Sequence, residues 1–317
     1  MSPTLALQSP VFLIFAAAAA GVLAAAGVVL TGLTWGLRKN VRHAWAAYRS
    51  WLVIVPILLL VFFLGRETVI VFLTFIAILG FTEFSRASGL KRDSLMTATA
   101  IVGLIAMGGA TLMNDPATGA PGCLSLFMAM PVFAIAALAI VPVLRNRSQG
   151  QLQTLAFAVL GFMYFGWMFG HLAMFANSHN AYLYLGYLVL AVELHDVAAY
   201  ACGKFCGRHR LCSNVSPQKT WEGAVGALGV SLLLPWALLF AGADSTPRDC
   251  LAIGLCVGLG ATLGDLVMSV IKRDLGVKDM GAAIPGHGGV LDRIDSLIYV
   301  APLVFHYVRF RHGLAPW

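Results

Sequence analysis

The sequence predicts an all-α polytopic membrane protein with about nine or ten transmembrane helices. Three observations lead there. Of its 317 residues, 59% are hydrophobic and 11% charged. The mean hydropathy is +0.84, far above that of a soluble domain. The apolar residues also fall in long runs, with the charges collected between them. In lipid such runs must be helical, because an isolated strand leaves its backbone polar groups unpaired.

Taken in order, the first run is Val11 to Trp35. No Lys or Arg precedes it and it is longer than a signal-peptide core, so it reads as a retained helix. A basic cluster follows at Arg38, Lys39, Arg42 and Arg49. Leu52–Leu64 is short for a span and contains Pro56; with Val69–Phe84 it reads as a helical hairpin turning at Arg66-Glu67, extended by tilt and flanking residues such as Trp51. Thr97–Met113 ends in the turn signal Asn114-Asp115-Pro116. Leu124–Leu144 carries Pro131 and Pro142 as kinks or ends. Leu152–Phe175, Tyr182–Cys202, Ala224–Ala241, Leu251–Ile271 and Ile294–Phe310 complete the set. The chain divides into an additional N-terminal helix and basic loop (1–50), a first group of helices (51–190) and a motif-bearing region (191–317).

Five alternate loops, 36–50, 86–93, 145–151, 203–222 and 272–295, hold 17 of the 21 Lys and Arg residues. The positive-inside rule places them in the cytoplasm, with Arg309 and Arg311 a weak dissent. The net charge of +7 therefore reads as topological anchors and phosphate ligands. The aromatics lie inside the apolar runs rather than between the bases, so no nucleic-acid partner is expected. Cys202, Cys206 and Cys212, with His195 and His209 nearby, lack the spacing of a usual zinc-ligand pair and read as free thiols. His171 and His179 read as interfacial or solvated, and Glu83, Glu193 and His195 as interfacial groups near helix ends.

Residues 269–295 gather four acids, four bases and a histidine, just after Asp265 in an apolar run. Asp265, Ser269 and Lys272 are spaced i, i+4, i+7 and share one helix face. Lys272, Arg273 and Lys278 add positive charge. Pro285-Gly286-His287-Gly288-Gly289 forbids helix and forms a tight loop whose N–H groups can face a phosphate. Asp292, Arg293 and Asp295 follow. Two carboxylates on the two sides of one loop, with bases between, suit a divalent ion holding a polyphosphate.

A second constellation spans Asp196 to Gly223. Asp196 and Tyr200 share a helix face, and an aspartate in an apolar run, costly by about 3 kcal/mol, is expected to face the bundle interior or a wet cavity. Gly203 and Gly207 admit either a packed backbone or a ligand. In the polar loop Ser216–Gly223, Lys219 with the Ser216 and Thr220 hydroxyls suits a phosphate. Equally, Ser216 and Thr220 can cap the next helix, with Glu222 at its N-terminus.

Together these motifs closely resemble the signature of the phosphatidate cytidylyltransferase (CDP-diacylglycerol synthase) family. Ser269, Lys272-Arg273, Lys278-Asp279, Pro285 to Gly289, Asp292-Arg293 and Asp295 match it in order. So do Asp196, Ala199-Tyr200, Gly203, Gly207, Ser216-Pro217, Lys219-Thr220 and Glu222-Gly223. Gln218 stands where the family usually has Lys, and Val197-Ala198 where Thr-Gly is common. The resemblance implies transfer of CMP from CTP to phosphatidate, giving CDP-diacylglycerol and pyrophosphate, in the inner (plasma) membrane of a bacterium.

It further implies that Asp265 and Asp292 hold Mg²⁺, with a second cation an option. Lys219, Lys272, Arg273, Lys278 and Arg293 would bind the triphosphate and the lipid phosphate, and Asp279 belongs to the same catalytic set. Gly286, Gly288 and Gly289 would let backbone close on a phosphate, and His287 would serve as general acid or as a loop-structural residue. Asp196, Tyr200, Ser216, Thr220, Glu222, Ser269 and Asp295 would complete the substrate site, and a homodimer is compatible with the family. A CTP-dependent lipid kinase and a non-enzymatic transporter are the rival readings.

Overall fold

The structure is a computed structural model that describes residues 1–36, 42–238, 245–281 and 288–312. Arg38, Lys39, Gly286 and His287 lie outside the described residues. The chain is an all-α membrane bundle: α1 (Pro3–Gln8), α2 (Pro10–Thr31), α3 (Arg42–Leu64), α4 (Arg66–Ala87), α5 (Ser94–Leu112), α6 (Leu124–Leu144), α7 (Gln151–Gly161), α8 (Phe169–Met174), α9 (Ala181–Cys206), α10 (Trp221–Leu238), α11 (Pro247–Asp274) and α12 (Leu291–His312). A π-helical segment, Phe162–Met168, joins α7 to α8, so Gln151–Asn177 forms one span of 27 residues. Among the described residues, seven helices are long and apolar enough to cross a membrane. The helices α3, α10 and α12 pack among them.

Local chemistry fixes the helix ends. Pro10 opens α2 behind Ser9, whose Oγ accepts the Phe12 N–H. Asp93 caps α5 through the Met96 N–H. Thr246 and Asp249 form a reciprocal capping box at α11, with Pro247 in its first turn. At the far end of α5, Arg66 donates to the Leu112 carbonyl at 2.7 Å and to Asn177 Oδ1 at 2.6 Å. A cation on the open carbonyls of a helix C-terminus is stabilising by about 0.3–1 kcal/mol.

Three sequence expectations need correction. α3 runs 23 residues from Arg42, its apolar part being only Tyr48–Leu64, and Arg42 and Arg49 lie on the helix rather than in a loop. His171 is neither solvated nor interfacial: it is fully buried, its Nδ1 lies 2.7 Å from the Trp167 carbonyl, and Phe127, Trp167 and Phe305 surround it. The polar loop before α10 is a small antiparallel hairpin of β1 (Arg210–Cys212) and β2 (Ser216–Thr220).

Helices α9 to α12 pack in sequence by close backbone approach. A Cβ at Gly223 would lie 2.7 Å from the Ala199 carbonyl, one at Gly254 2.7 Å from the Ser231 carbonyl, and one at Gly264 2.8 Å from the Asp295 carbonyl. α11 thus presents Gly254 and Gly258 to α10, and Gly260 and Gly264 to α12. Lipid supplies no hydrophobic drive between helices, so such small-residue seams carry the packing. Buried His195 ties three of these helices. Thr262 Oγ1 donates to the Gly258 carbonyl at 2.9 Å and so accepts from His195 Nε2 at 3.2 Å. His195 Nδ1 then accepts from Ser231 Oγ at 3.0 Å.

Candidate active site

The polar ends of α9, α11 and α12, the hairpin before α10 and the segments 275–281 and 288–290 lie at one end of the bundle. Asp265 is about two and a half turns from the end of α11, and Ser269 Oγ donates to its Oδ1 at 3.4 Å. Its Oδ2 is held by Lys219 Nζ at 2.5 Å. Lys219 is at the penultimate position of β2, so the hairpin missed in the sequence is what delivers this lysine to α11. About two turns further along the same face, Lys272 Nζ lies 2.6 Å from Asp292 Oδ1 and 3.7 Å from Asp295 Oδ2, both on α12. The shared face of Asp265, Ser269 and Lys272 is therefore realised.

The two ion pairs differ in solvation. The Asp292 side chain is 6% exposed and that of Asp265 34%. The first pair is embedded and the second borders open space. Asp295 is buried, and its Oδ1 accepts the Ser296 N–H at 2.9 Å. Asp196 is accessible to solvent yet within Coulombic reach of Asp265, Glu193, Lys219 and Arg293, as a group facing a wet cavity would be. Tyr200, also exposed, receives a hydrogen bond from Lys204 at 3.4 Å.

The remaining residues sort into braces and open cations. Thr220 Oγ1 accepts the Gly223 N–H at 3.2 Å, which is the capping arrangement at the start of α10. Glu222 accepts the Arg208 N–H at 3.1 Å and His209 Nδ1 at 2.7 Å, pinning the turn after α9. The hydrogen bond from His209, with the backbone donors, lowers its carboxyl to about 2. Arg273 leans on the Val215 carbonyl at 3.4 Å and so ties α11 to the hairpin. Lys278, Asp279 and Arg293 are exposed. Ser216 is half-buried at the start of β2.

At the glycine loop the Gly289 N–H is already engaged. Asp292 Oδ2 accepts the Gly289 N–H at 2.8 Å and the Met280 N–H at 3.2 Å, so the expected phosphate contact of the Gly289 N–H is not available in this geometry. Gly288 has φ +81° and a Cβ there would lie 2.8 Å from Asp292 Oδ2. Position and conformation both require glycine.

Sequence reasoning missed Glu83. It sits on α4, is buried, and accepts the Val290 N–H at 3.0 Å and the Leu291 N–H at 2.8 Å. Those are orphan donors at the start of α12, so Glu83 caps, from another helix, the element that carries Asp292, Arg293 and Asp295. A Cβ at Gly281 would come within 2.5 Å of its carboxylate, and one at Gly289 would overlap it. The only signal in the sequence is a lone acid in an apolar run, far from the motif. His195 carried the same kind of signal.

Chemically, the cluster combines hard oxygen donors with fixed cations. Among the described residues no three His, Cys, Asp or Glu side chains converge to cage a metal. Mg²⁺ is commonly held by one or two carboxylates and completes its shell with water and substrate phosphates; of the two expected ligands Asp265 borders open space, whereas both oxygens of Asp292 are engaged, Oδ1 by Lys272 and Oδ2 by the Gly289 and Met280 N–H groups.

The family model described as the cytidylyltransferase family matches residues 45–311. Among curated relatives, a protein of Escherichia coli K12 named "Uncharacterized protein YnbB" is 38% identical over 205 residues, covering 59% of this chain and 65% of the relative. A phosphatidate cytidylyltransferase of Staphylococcus aureus strain COL is 40% identical over 154 residues, 48% of this chain and 56% of that protein. One of Synechocystis is 47% identical over 117 residues, 36% of this chain and 39% of that protein. The chain thus spans less than two thirds of the length of each of these relatives. With the family model matched across almost all of its length, the chain belongs to the cytidylyltransferase family.

Proposed function

We propose that this protein transfers CMP from CTP to phosphatidate, forming CDP-diacylglycerol and pyrophosphate, at the cytoplasmic end of the bundle in a bacterial inner membrane. The observation that supports this most directly is the pairing of Asp265 with Lys219 and of Asp292 with Lys272 across β2, α11 and α12. The names of the Staphylococcus and Synechocystis relatives support the choice of lipid. The basic loops at the same end support its cytoplasmic orientation.

A phosphatidate oxygen attacks the α-phosphorus of CTP. The bond from that phosphorus to the bridging oxygen breaks, and its electron pair leaves with pyrophosphate. The phosphate monoester is itself the nucleophile, so no protein nucleophile is required. What the protein must supply is screening: two anions about 4 Å apart repel by about 4 kcal/mol at an effective dielectric near 20. Lys219 and Lys272 are held in fixed positions by their carboxylates, which suits electrostatic preorganisation. Arg273, Lys278 and Arg293 are exposed around them and can meet the outer phosphates. Mg²⁺ held by Asp265 and Asp292 would neutralise triphosphate charge as a Lewis acid. Glu83 acts through α12, as a positioning residue.

The test is a detergent-micelle assay with cytidine-labelled CTP, Mg²⁺ and phosphatidate. Label entering the lipid extract only when phosphatidate is present is the expected result. Asp265→Asn and Asp292→Asn should each lower turnover by about 100-fold or more. γ-Phosphate label moving to a lipid alcohol would instead assign a CTP-dependent lipid kinase. No transfer of either label would reject nucleotide chemistry in favour of transport.

A further inference from the structure

Two polar cavities of about 600 Å³ each adjoin at the end of the bundle that carries the active-site residues, but on other helices. They share Ser88, Gly89 and Arg92, in the turn between α4 and α5. The first is walled on its other side by Arg145 and Arg147 after α6 and by Thr154 in α7, with Phe157 on the same wall. The second is lined by Arg86 and Lys91. None of these residues belongs to the site described above.

The charge in this place is unbalanced. Asp93 pairs with Arg145 at 2.5 Å and also accepts the Met96 N–H, so its capacity is taken. Among the described residues Arg86, Lys91, Arg92 and Arg147 have no carboxylate partner, and all four are exposed. Ser88 Oγ is buried there without a hydrogen-bond partner. Guanidinium forks with an uncommitted hydroxyl are phosphate-binding chemistry. Apolar side chains adjoin the same rim and point outward: Leu95 is 41% exposed, Leu144 75% and Leu152 81%. They directly follow Ser94, precede Arg145 and precede Gln153 of the cavity wall. A basic pocket bordered by lipid-facing leucines matches a phosphate group that carries acyl chains better than a phosphate in solution.

We infer that the α4–α5 and α6–α7 turns form a binding site for the phosphate headgroup of an anionic phospholipid, separate from the reacting centre. The lipid would lie against α5, α6 and α7 with its headgroup between Arg92 and Arg147. Such a site would tie the helices around Glu83, at the end of α4, to the composition of the surrounding leaflet.

The experiment uses the full chain in neutral detergent, with thermal unfolding followed by tryptophan fluorescence. Short-chain phosphatidylglycerol is titrated in, with short-chain phosphatidylcholine and inorganic phosphate as separate arms. Saturable stabilisation by phosphatidylglycerol alone is expected. In R92Q/R147Q its half-saturating concentration should rise by about tenfold or more. R92K/R147K should recover part of the affinity, and Arg49→Gln, which removes a base outside the cavity, should leave it unchanged. Should R92Q/R147Q fail to fold, Ser88→Leu fills the cavity wall and must give the same loss. Equal stabilisation by phosphatidylcholine, equal stabilisation by inorganic phosphate, or an unchanged titration in R92Q/R147Q or Ser88→Leu would each overturn the inference. The last would leave the arginines as topological anchors only.

Discussion

Replacing Glu83 by Gln isolates the inter-helix cap from steric effects, because the two side chains have nearly the same volume and Gly281 and Gly289 leave no spare room around this one. The carboxylate accepts two backbone N–H groups, one on each oxygen. Glutamine keeps a single carbonyl oxygen and turns an NH₂ toward the other N–H. One charge-assisted bond of about 1.5–3 kcal/mol is lost, and among the described residues the donor it served has no other acceptor. That corresponds to about a tenfold to hundredfold rise in local opening. Hydrogen exchange at the Val290 and Leu291 amides reads this directly, and those amides should lose protection by that factor while the centre of α12 does not. Turnover of CTP should fall through displacement of Asp292, more in kcat than in KM for CTP, with Glu83→Asp restoring little because its shorter arm cannot span the gap. Exchange at Val290 and Leu291 within about twofold of wild type would refute the reasoning, whatever happens to activity.

Other substitutions test the packing and the charges. Lys272→Met strips the cation from two buried carboxylates, Asp292 and Asp295, and should destabilise by about 3–5 kcal/mol in thermal unfolding; adding Asp292→Asn should recover part of that loss. Gly264→Val forces a side chain against the Asp295 carbonyl and should cost about 1–3 kcal/mol. Gly229→Ala, which meets nothing within 4 Å, should be neutral or stabilising by up to about 1 kcal/mol. Glu222, with its carboxyl lowered from 4.5 to about 2, favours the folded turn wherever it is ionised. The brace should therefore hold above pH 4.5 and be lost as the pH falls toward 2, seen as faster exchange at the Arg208 and His209 amides.

The helices were legible because lipid leaves a long apolar run only one structure, and the motif residues were legible because their spacing is local. Asp265, Ser269 and Lys272 required nothing beyond the 3.6-residue repeat. What sequence reasoning could not supply was anything set by contact between distant segments. Glu83 looks like any interfacial acid until α4 is placed against the start of α12, 207 residues away. His195 looks the same until Ser231 and Thr262 arrive from two other helices. The β hairpin escaped for a different reason: its strands are of three and five residues, with Pro217 inside the second, and neither alternates in hydrophobicity. Polarity there signalled a loop, whereas the backbone pairing depends on α9 and α10 bringing its two ends together.

The engaged donors at the start of α12 change what the electrostatics of this site mean. An N-terminal helix end carries about half a positive charge, and on sequence grounds the start of α12 would lend it to a phosphate. Instead the Val290 and Leu291 donors are taken by Glu83, and those of Met280 and Gly289 by Asp292. Two protein carboxylates thus take these four donors, and under the proposed function the positive field that the described residues offer a phosphate comes from side chains. That field is concentrated in Lys219 and Lys272, each fixed by an acid on a rigid helix, with Arg273, Lys278 and Arg293 as the open rim. On this argument the terminus of α12 serves to hold Asp292 in place. Weakening that hold should then act on catalysis through Asp292, while removing Lys219 or Lys272 should act on the binding of phosphate itself.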